Sequence, residues 1–281
     1  MAELNTGAEV TWCPGCGNFG IINAARKAVE QLEERGITRE NIVMTAGIGC
    51  HAKIFDYLGL SGFYSLHGRG TATAQGIKVA NPELKVISFS GDGDGFGEGL
   101  AHMMFAAKRN MDVTVVVHNN SAYALTTGQM SPTSERGWKG PSTPTGSVED
   151  PFRPLALMLE AGATFVARGF SGNPKQLVEL IIEGVEHEGF SIIEVLQPSV
   201  VFSNRFKEYR ERTLDIEKNM DLAKAFDLVR KEGEEIPVGI IYRKEKQAFH
   251  KGLYGNKSPL RSRKDQEQRI RFLEQYLNQK K

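Results

Sequence analysis

Apolar residues follow two spacings along this chain. Ile21, Ile22, Ala25, Val29 and Leu32 recur at helical intervals, with Gly36 beyond them as a stop, and predict a helix over 19–35. Short apolar runs at 42–45, 85–90, 113–117, 164–167 and 191–196 read as strands, separated by helical patterns at 71–79, 98–109 and 174–187. Runs that are apolar throughout belong to parallel strands buried on both faces. Strands that alternate with helices build a sheet covered on both sides, so the fold class is α/β, a parallel sheet with helices on both faces. Residues 128–154 are rich in Gly, Pro, Ser and Thr and lack periodicity. Connections of that length are usually functional or disordered, and a mobile cover over a ligand site is expected here. After residue 204 the pattern weakens into charged helices. This places a site-bearing domain at 1–204 and a helical extension with a basic tail at 205–281.

Composition narrows the class without naming a function. At 281 residues and 40% hydrophobic content, the chain can bury a large core. No apolar run approaches the ~20 residues needed to span a bilayer, and no signal-peptide pattern opens the sequence. A cytoplasmic chain without membrane contact is expected. Three cysteines are too few and too unevenly spaced for a disulfide framework. The net charge of +1 conceals an asymmetry: residues 243–281 hold 12 Lys/Arg against 4 Asp/Glu, or +8, leaving −7 for residues 1–242. The tail lacks interleaved aromatics or a nucleic-acid motif, so nucleic acid is not expected as a partner. Ile270, Leu273 and Leu277 share one helical face there, which fits docking on protein.

The chemistry gathers where two apolar runs end. Gly91-Asp92-Gly93-Asp94-Gly95 closes one, and Asn120 lies 28 residues after Asp92 at the close of the next, Val113-Thr114-Val115-Val116-Val117-His118-Asn119-Asn120. Adjacent parallel strands bring such carboxyl ends together at the edge where open α/β sheets bind ligands. The Asp92 carboxylate, the Asn120 amide oxygen and the Ala122 carbonyl then offer three oxygens to Mg²⁺, whose other positions suit phosphate and water. The glycines admit a diphosphate close to the backbone. An EF-hand reading fails because Phe96 falls on a ligand position. No register of the glycines gives GxGxxG, and Gly-Lys, needed for a P-loop, never occurs.

Cys13 and Cys16 form a CxxC, and Cys50 ends a strand, so three thiols are candidates for one inorganic centre. On the residues alone, iron-sulfur ligation, zinc and unliganded thiols all stay open. Zinc usually wants a fourth ligand, and a redox dithiol leaves Cys50 unexplained.

The GDG…NN spacing resembles that of thiamine-diphosphate enzymes. Trp12-Cys13-Pro14-Gly15-Cys16-Gly17, Gly47-Ile48-Gly49-Cys50, Leu66-His67-Gly68-Arg69 and Leu125-Thr126-Thr127-Gly128-Gln129-Met130-Ser131-Pro132-Thr133 follow in the order found in β subunits of 2-oxoacid:ferredoxin oxidoreductases. The resemblance runs from Trp12 to Asn204. It implies thiamine diphosphate and Mg²⁺ in the first domain, with Ile48, Gly49, Cys50, His51, His67, Gly68, Arg69, Gly70, Gly93, Asp94, Ala124 and Leu125 at the cofactor. Asp94 has a second reading as a residue that fixes the loop by hydrogen bonds, and Arg69 as a cap on the sheet edge. The resemblance also implies a 4Fe-4S iron-sulfur cluster on Cys13, Cys16 and Cys50. The family's fourth cysteine follows a proline, and here Pro198 is followed by Ser199. Ser199, water or hydroxide, or His51 are the substitutes, and loss of the cluster is the alternative. The implied activity is oxidative decarboxylation of a 2-oxo acid with coenzyme A, giving acyl-CoA, CO₂ and reduced ferredoxin, with a partner α chain completing the site. A non-oxidative thiamine lyase or synthase and a non-catalytic metal-binding scaffold are the competing classes.

Overall fold

The computed structural model describes residues 4–230, 235–255, 257–260 and 265–278. Helix α1 (Asn18–Glu34) precedes strand β1 (Ile42–Ala46), followed by a short helix α2 (Ile54–Tyr57) and strand β2 (Ser61–Tyr64). Helix α3 (Gly70–Ala80) leads into β3 (Lys85–Gly91), and α4 (Leu100–Arg109) into β4 (Val113–Asn119). Beyond a long connection come α5 (Pro154–Glu160), β5 (Phe165–Phe170), α6 (Pro174–Glu186) and β6 (Phe190–Leu196). The remainder forms α7 (Phe206–Arg212), β7 (Thr213–Asp215), α8 (Leu222–Arg230), β8 (Ile236–Arg243), α9 (Phe249–Tyr254) and α10 (Gln266–Asn278).

Eight strands make one sheet in the order β2-β1-β3-β4-β6-β5-β8-β7. All neighbours are parallel except β5 and β8, which run antiparallel with a register shift opposite Val166 and Ala167. Alternating residues of the same strands feed two cores, as the pleat requires. Phe89, Val116, Ile193 and Val195 face α1 and α6, where Ile21, Ala25 and Ile181 pack. Val86, Val115, Val117 and Ile192 face the opposite layer, with Met103 of α4, Leu155 of α5 and Ala225 of α8. The α/β expectation with helices on both faces holds.

Two features differ from the sequence reading. The segment after residue 204, expected to be helical, supplies β7 and β8, so the sheet continues past that point. Pro237 and Gly239 break the run Ile236-Pro237-Val238-Gly239-Ile240-Ile241-Tyr242 and mask a strand that pairs antiparallel with β5. The expected C-terminal helix forms as α10, but Ile270, Leu273 and Leu277 are 48%, 57% and 64% exposed and none of its residues is buried. Among the described residues, no helix is long and apolar enough to cross a membrane.

Candidate functional site

Gly91 of β3 sits opposite His118 of β4, so the turns that follow these strands leave the sheet side by side. Asp92, 2% exposed, opens a π-helical turn over Gly93–Glu98 that runs into α4. Its Oδ2 accepts hydrogen bonds from Ser131 Oγ at 2.5 Å and Thr133 Oγ1 at 2.8 Å. Burial still pushes the Asp92 carboxyl above its usual pKa, and the groups that lower it are hydrogen-bond donors rather than cations. Asn120 and Ala122 line the same cleft, and Asn120 Oδ1 accepts the Ala122 amide at 3.1 Å. A buried carboxylate without a counter-cation, beside an amide oxygen and a carbonyl-bearing turn, is a donor set suited to a hard divalent ion.

Asp94, two residues on, has a different task. Its Oδ1 accepts the amides of Gly68 at 2.7 Å and Ile48 at 3.0 Å, and its Oδ2 accepts Ser90 Oγ at 2.6 Å. His51 Nε2 and His67 Nδ1 each lie 3.6 Å from its oxygens, too far for a hydrogen bond, and both atoms are buried without a partner. Burial alone would raise the Asp94 pKa, but neighbouring His51 and the Gly68 and Ser90 donors hold it down at about 2. Asp94 therefore ties the 47–51 and 67–68 loops to the turn after β3, which is the loop-fixing reading. Its carboxylate also forms part of the cleft wall.

Ile48, Gly49, Cys50, His51, His67, Gly93, Ala124 and Leu125 line the cleft as well. Gly68, Arg69 and Gly70 stand behind it. The Gly68 amide serves Asp94, Arg69 Nη1 donates to the Glu98 carbonyl at 3.1 Å, and the Gly70 carbonyl accepts Thr45 Oγ1 at 3.0 Å. Gly91, His118, Tyr123, Thr126 and Gln197 complete the lining: Gly91, His118 and Thr126 lie inside the quoted motifs without an assigned role, and Tyr123 and Gln197 lie outside them. The glycines after β3 also make room for protein: a Cβ at Gly91 would lie 2.7 Å from His51 Nδ1, and one at Gly93 would lie 2.4 Å from the Tyr123 ring. Tyr123 donates its hydroxyl to the Gly93 carbonyl at 3.1 Å, and burial with nearby carboxylates pushes its pKa up to about 12.

A second cavity abuts the first. Cys13, Cys16, Cys50, Lys53 and Ser199 line it, and Cys50, Asn120, Ala124 and Leu125 belong to both cavities. Pro14 and Gly15 (φ 79°) turn the chain so that the Cys16 amide reaches the Cys13 carbonyl at 3.0 Å, the pattern of a type II turn with Pro then Gly at its centre. Trp12 Nε1 donates to the Cys50 carbonyl at 2.6 Å, and the Gly17 amide to the Pro198 carbonyl at 3.1 Å, so the three loops are cross-tied. Burial raises the Cys16 and Cys50 thiol pKa values. Charge on Cys50 and Cys13 raises that of Cys16 further, so the sulfurs stand within electrostatic reach of one another. Ser199 is 7% exposed, and its Oγ accepts the Phe202 amide at 3.2 Å. Among the described residues, no three His, Cys, Asp or Glu side chains close on a single ion. A polynuclear cluster does not require that, because each thiolate ligates a different iron.

Residues 47–195 match the family described as thiamine pyrophosphate enzyme, C-terminal TPP binding domain, and residues 202–257 match the family of the C-terminal part of the pyruvate ferredoxin oxidoreductase beta subunit. A 2-oxoacid:ferredoxin oxidoreductase subunit beta from Sulfolobus sp is 42% identical over 252 residues, covering 83% of this chain and 82% of the relative. This chain belongs to the 2-oxoacid:ferredoxin oxidoreductase β subunits. A 2-oxoglutarate synthase subunit KorB from Archaeoglobus fulgidus is 42% identical over 185 residues, 66% of this chain and 68% of the relative. A solved 2-oxoglutarate:ferredoxin oxidoreductase from Magnetococcus marinus, with 2-oxoglutarate, coenzyme A and succinyl-CoA bound, superposes with a TM-score of 0.88. It is 35% identical and covers 96% of this chain and 94% of that one. In this β subunit the thiamine-family match spans residues 47–195, so it begins just after β1 and takes in the ends of β3 and β4 at the cleft, but not Cys13, Cys16 or Ser199.

Proposed function

We propose that this β subunit holds thiamine diphosphate and Mg²⁺ in the cleft after β3 and β4 and an iron-sulfur cluster in the adjoining cysteine cavity. With an α subunit it would oxidatively decarboxylate a 2-oxo acid in the cytoplasm, transfer the acyl group to coenzyme A and pass the electrons to ferredoxin. The observation that carries the reading is Asp92, a buried carboxylate that lacks a counter-cation and lines the same cleft as Asn120. Asp92, Asn120 and the Ala122 carbonyl would hold Mg²⁺, and the backbone around Gly93 would receive the diphosphate. Thiamine diphosphate, when bound, supplies the carbon on which a 2-oxo acid loses CO₂. Cys13, Cys16 and Cys50 would hold the cluster, with Ser199 at the remaining position.

The shared wall of the two cavities supports short-range electron transfer, since Cys50 and Leu125 touch both. Lys53 lines the cysteine cavity, where its charge offsets part of the burial-driven rise of the Cys50 thiol pKa and its Nζ donates to Thr11 Oγ1 at 2.9 Å. A non-oxidative thiamine enzyme would have no use for three thiols beside the cofactor cleft.

Asp92→Ala tests the metal site. Titration of the α/β complex with thiamine diphosphate should show Mg²⁺-dependent binding in the native protein and none in the variant, because the only anionic ligand is gone. Native affinity in Asp92→Ala would remove the assignment.

A further inference from the structure

The two hydroxyls that hold Asp92 come from one short turn in the connection between β4 and α5. Ser131-Pro132-Thr133-Ser134 is a self-closed turn in which the Ser131 amide donates to Ser134 Oγ at 2.7 Å and the Ser134 amide to the Ser131 carbonyl at 3.0 Å. Pro132 at its second position pre-sets that shape. One side of the turn reaches β3: Ser131 Oγ and Thr133 Oγ1 both donate to Asp92 Oδ2, as described above. The other side reaches β4. Ser134 Oγ makes the link by donating to the Ser121 carbonyl at 2.7 Å, while Thr133 Oγ1, its one proton given to Asp92, packs 2.9 Å from Asn119 Oδ1. Asn119 is itself fixed, because its Nδ2 donates to Glu194 Oε1 at 2.8 Å and Glu194 is paired with Arg168 at 2.8 Å. Ser131, Thr133 and Ser134 are 2%, 8% and 3% exposed, so water does not compete for these bonds.

We infer that this turn is a strap that sets the separation of the Asp92 and Asn120 turns, with Ser131 and Thr133 as positioning residues for the divalent ion. The inference rests on the reading of Asp92 as a metal ligand. With both hydroxyl donors on Oδ2, Oδ1 is the oxygen that no side chain occupies, and the carboxylate cannot turn to chelate through both oxygens without breaking the strap. Single-oxygen coordination at a fixed spacing suits the small, strictly octahedral Mg²⁺, whereas the larger Ca²⁺ takes two-oxygen carboxylates and variable geometry. The strap therefore acts as a selectivity device as well as an anchor. It also explains why a 34-residue connection without regular structure between β4 and α5 returns to the sheet edge at once.

The test is Thr133→Val, close in shape but without the hydroxyl, in the metal-stripped α/β complex. Thiamine diphosphate is titrated calorimetrically with Mg²⁺ and separately with Ca²⁺. Mg²⁺-dependent affinity should fall about ten- to a hundredfold, the scale of a lost hydrogen bond to a charged acceptor, and the Mg²⁺ over Ca²⁺ preference should shrink. Thr133→Ser should restore both. Native affinity and preference in Thr133→Val, or an equal loss with both ions, would overturn the strap. Asp92→Ala is run beside it: if that variant also binds as native, the metal site itself is wrong, whereas loss in Asp92→Ala alone refutes only the strap. Should Thr133→Val not assemble, Ser131→Ala removes the other Asp92 donor while keeping the Ser134 bond to the Ser121 carbonyl and is judged by the same two ratios.

Discussion

Asp92 and Asp94 are two residues apart and sit in opposite electrostatic settings. Asp94 is held down at about 2 by His51 and by the Gly68 and Ser90 donors, against its own burial. A carboxyl held below its unfolded value stabilises the fold above about pH 4 and loses that contribution as pH falls towards about 2, roughly 2 kcal/mol in all. Asp94→Asn should flatten acid unfolding across that window and lower neutral-pH stability, as read by thermal melts at stepped pH. An unchanged acid limb would contradict the clamp. Asp92 has the reverse sign. Burial raises its pKa, so the ionised carboxylate costs stability at neutral pH, and the cost fades as acid protonates it. Asp92→Asn should therefore raise the melting temperature of the cofactor-free complex and abolish the further rise given by Mg²⁺ and thiamine diphosphate. The motif spacing made Asp92 and Asn120 legible, because strand periodicity fixes which residues leave the sheet together. It left Asp94 with two readings, cofactor contact and loop fixing, because the Gly68, Ile48 and Ser90 donors to its carboxylate come from segments whose approach no spacing encodes. Arg69 sits in a cofactor-type motif yet spends its guanidinium on the Glu98 carbonyl, which depends on how the turn after β3 folds.

At the level of elements, the central strands were readable because burial on both faces imposes continuous apolar runs, and β3, β4 and β6 are buried almost throughout. Strand β2 is exposed along its length and β7 is three residues long, so neither carries a periodic signal. The long connection was legible only as a connection. The contacts of Ser131 and Thr133 with Asp92 span 39 and 41 residues and arise from the turn's own geometry, which no periodicity encodes. The end of the chain divides in two. Asn110 Nδ2 donates to the Lys246 and Gln247 carbonyls, and the Phe249 amide to the Asn110 carbonyl, so residues 246–249 are stitched to the turn between α4 and β4. Truncation after Tyr242 should then unfold the protein or prevent assembly, whereas truncation after Gly255 should leave it folded. Equal stability of the two truncations, measured by thermal denaturation, would contradict this division.

Across the whole molecule, composition indicated a globular chain and left its chemistry open, while the charge asymmetry marked the tail. Residues 256–281 carry eight Lys/Arg against three Asp/Glu, or +5, and α10 among them offers an apolar face that nothing in the described chain covers. If the tail steers an acidic electron acceptor, the truncation after Gly255 should slow ferredoxin reduction at low salt and weaken its salt dependence. Unchanged salt dependence would assign the charge to another contact. The central claim is that one sheet edge of this chain holds the site of carbon chemistry and the first electron acceptor side by side. The most direct measurement is electron paramagnetic resonance of the anaerobic α/β complex, without ferredoxin, after addition of 2-oxoglutarate and coenzyme A. The account predicts a reduced iron-sulfur signal that appears with substrate in the native complex and is missing with substrate in Asp92→Ala, although dithionite still produces it there. A native complex that lacks iron, or an Asp92→Ala complex whose cluster is still reduced by substrate, would contradict it.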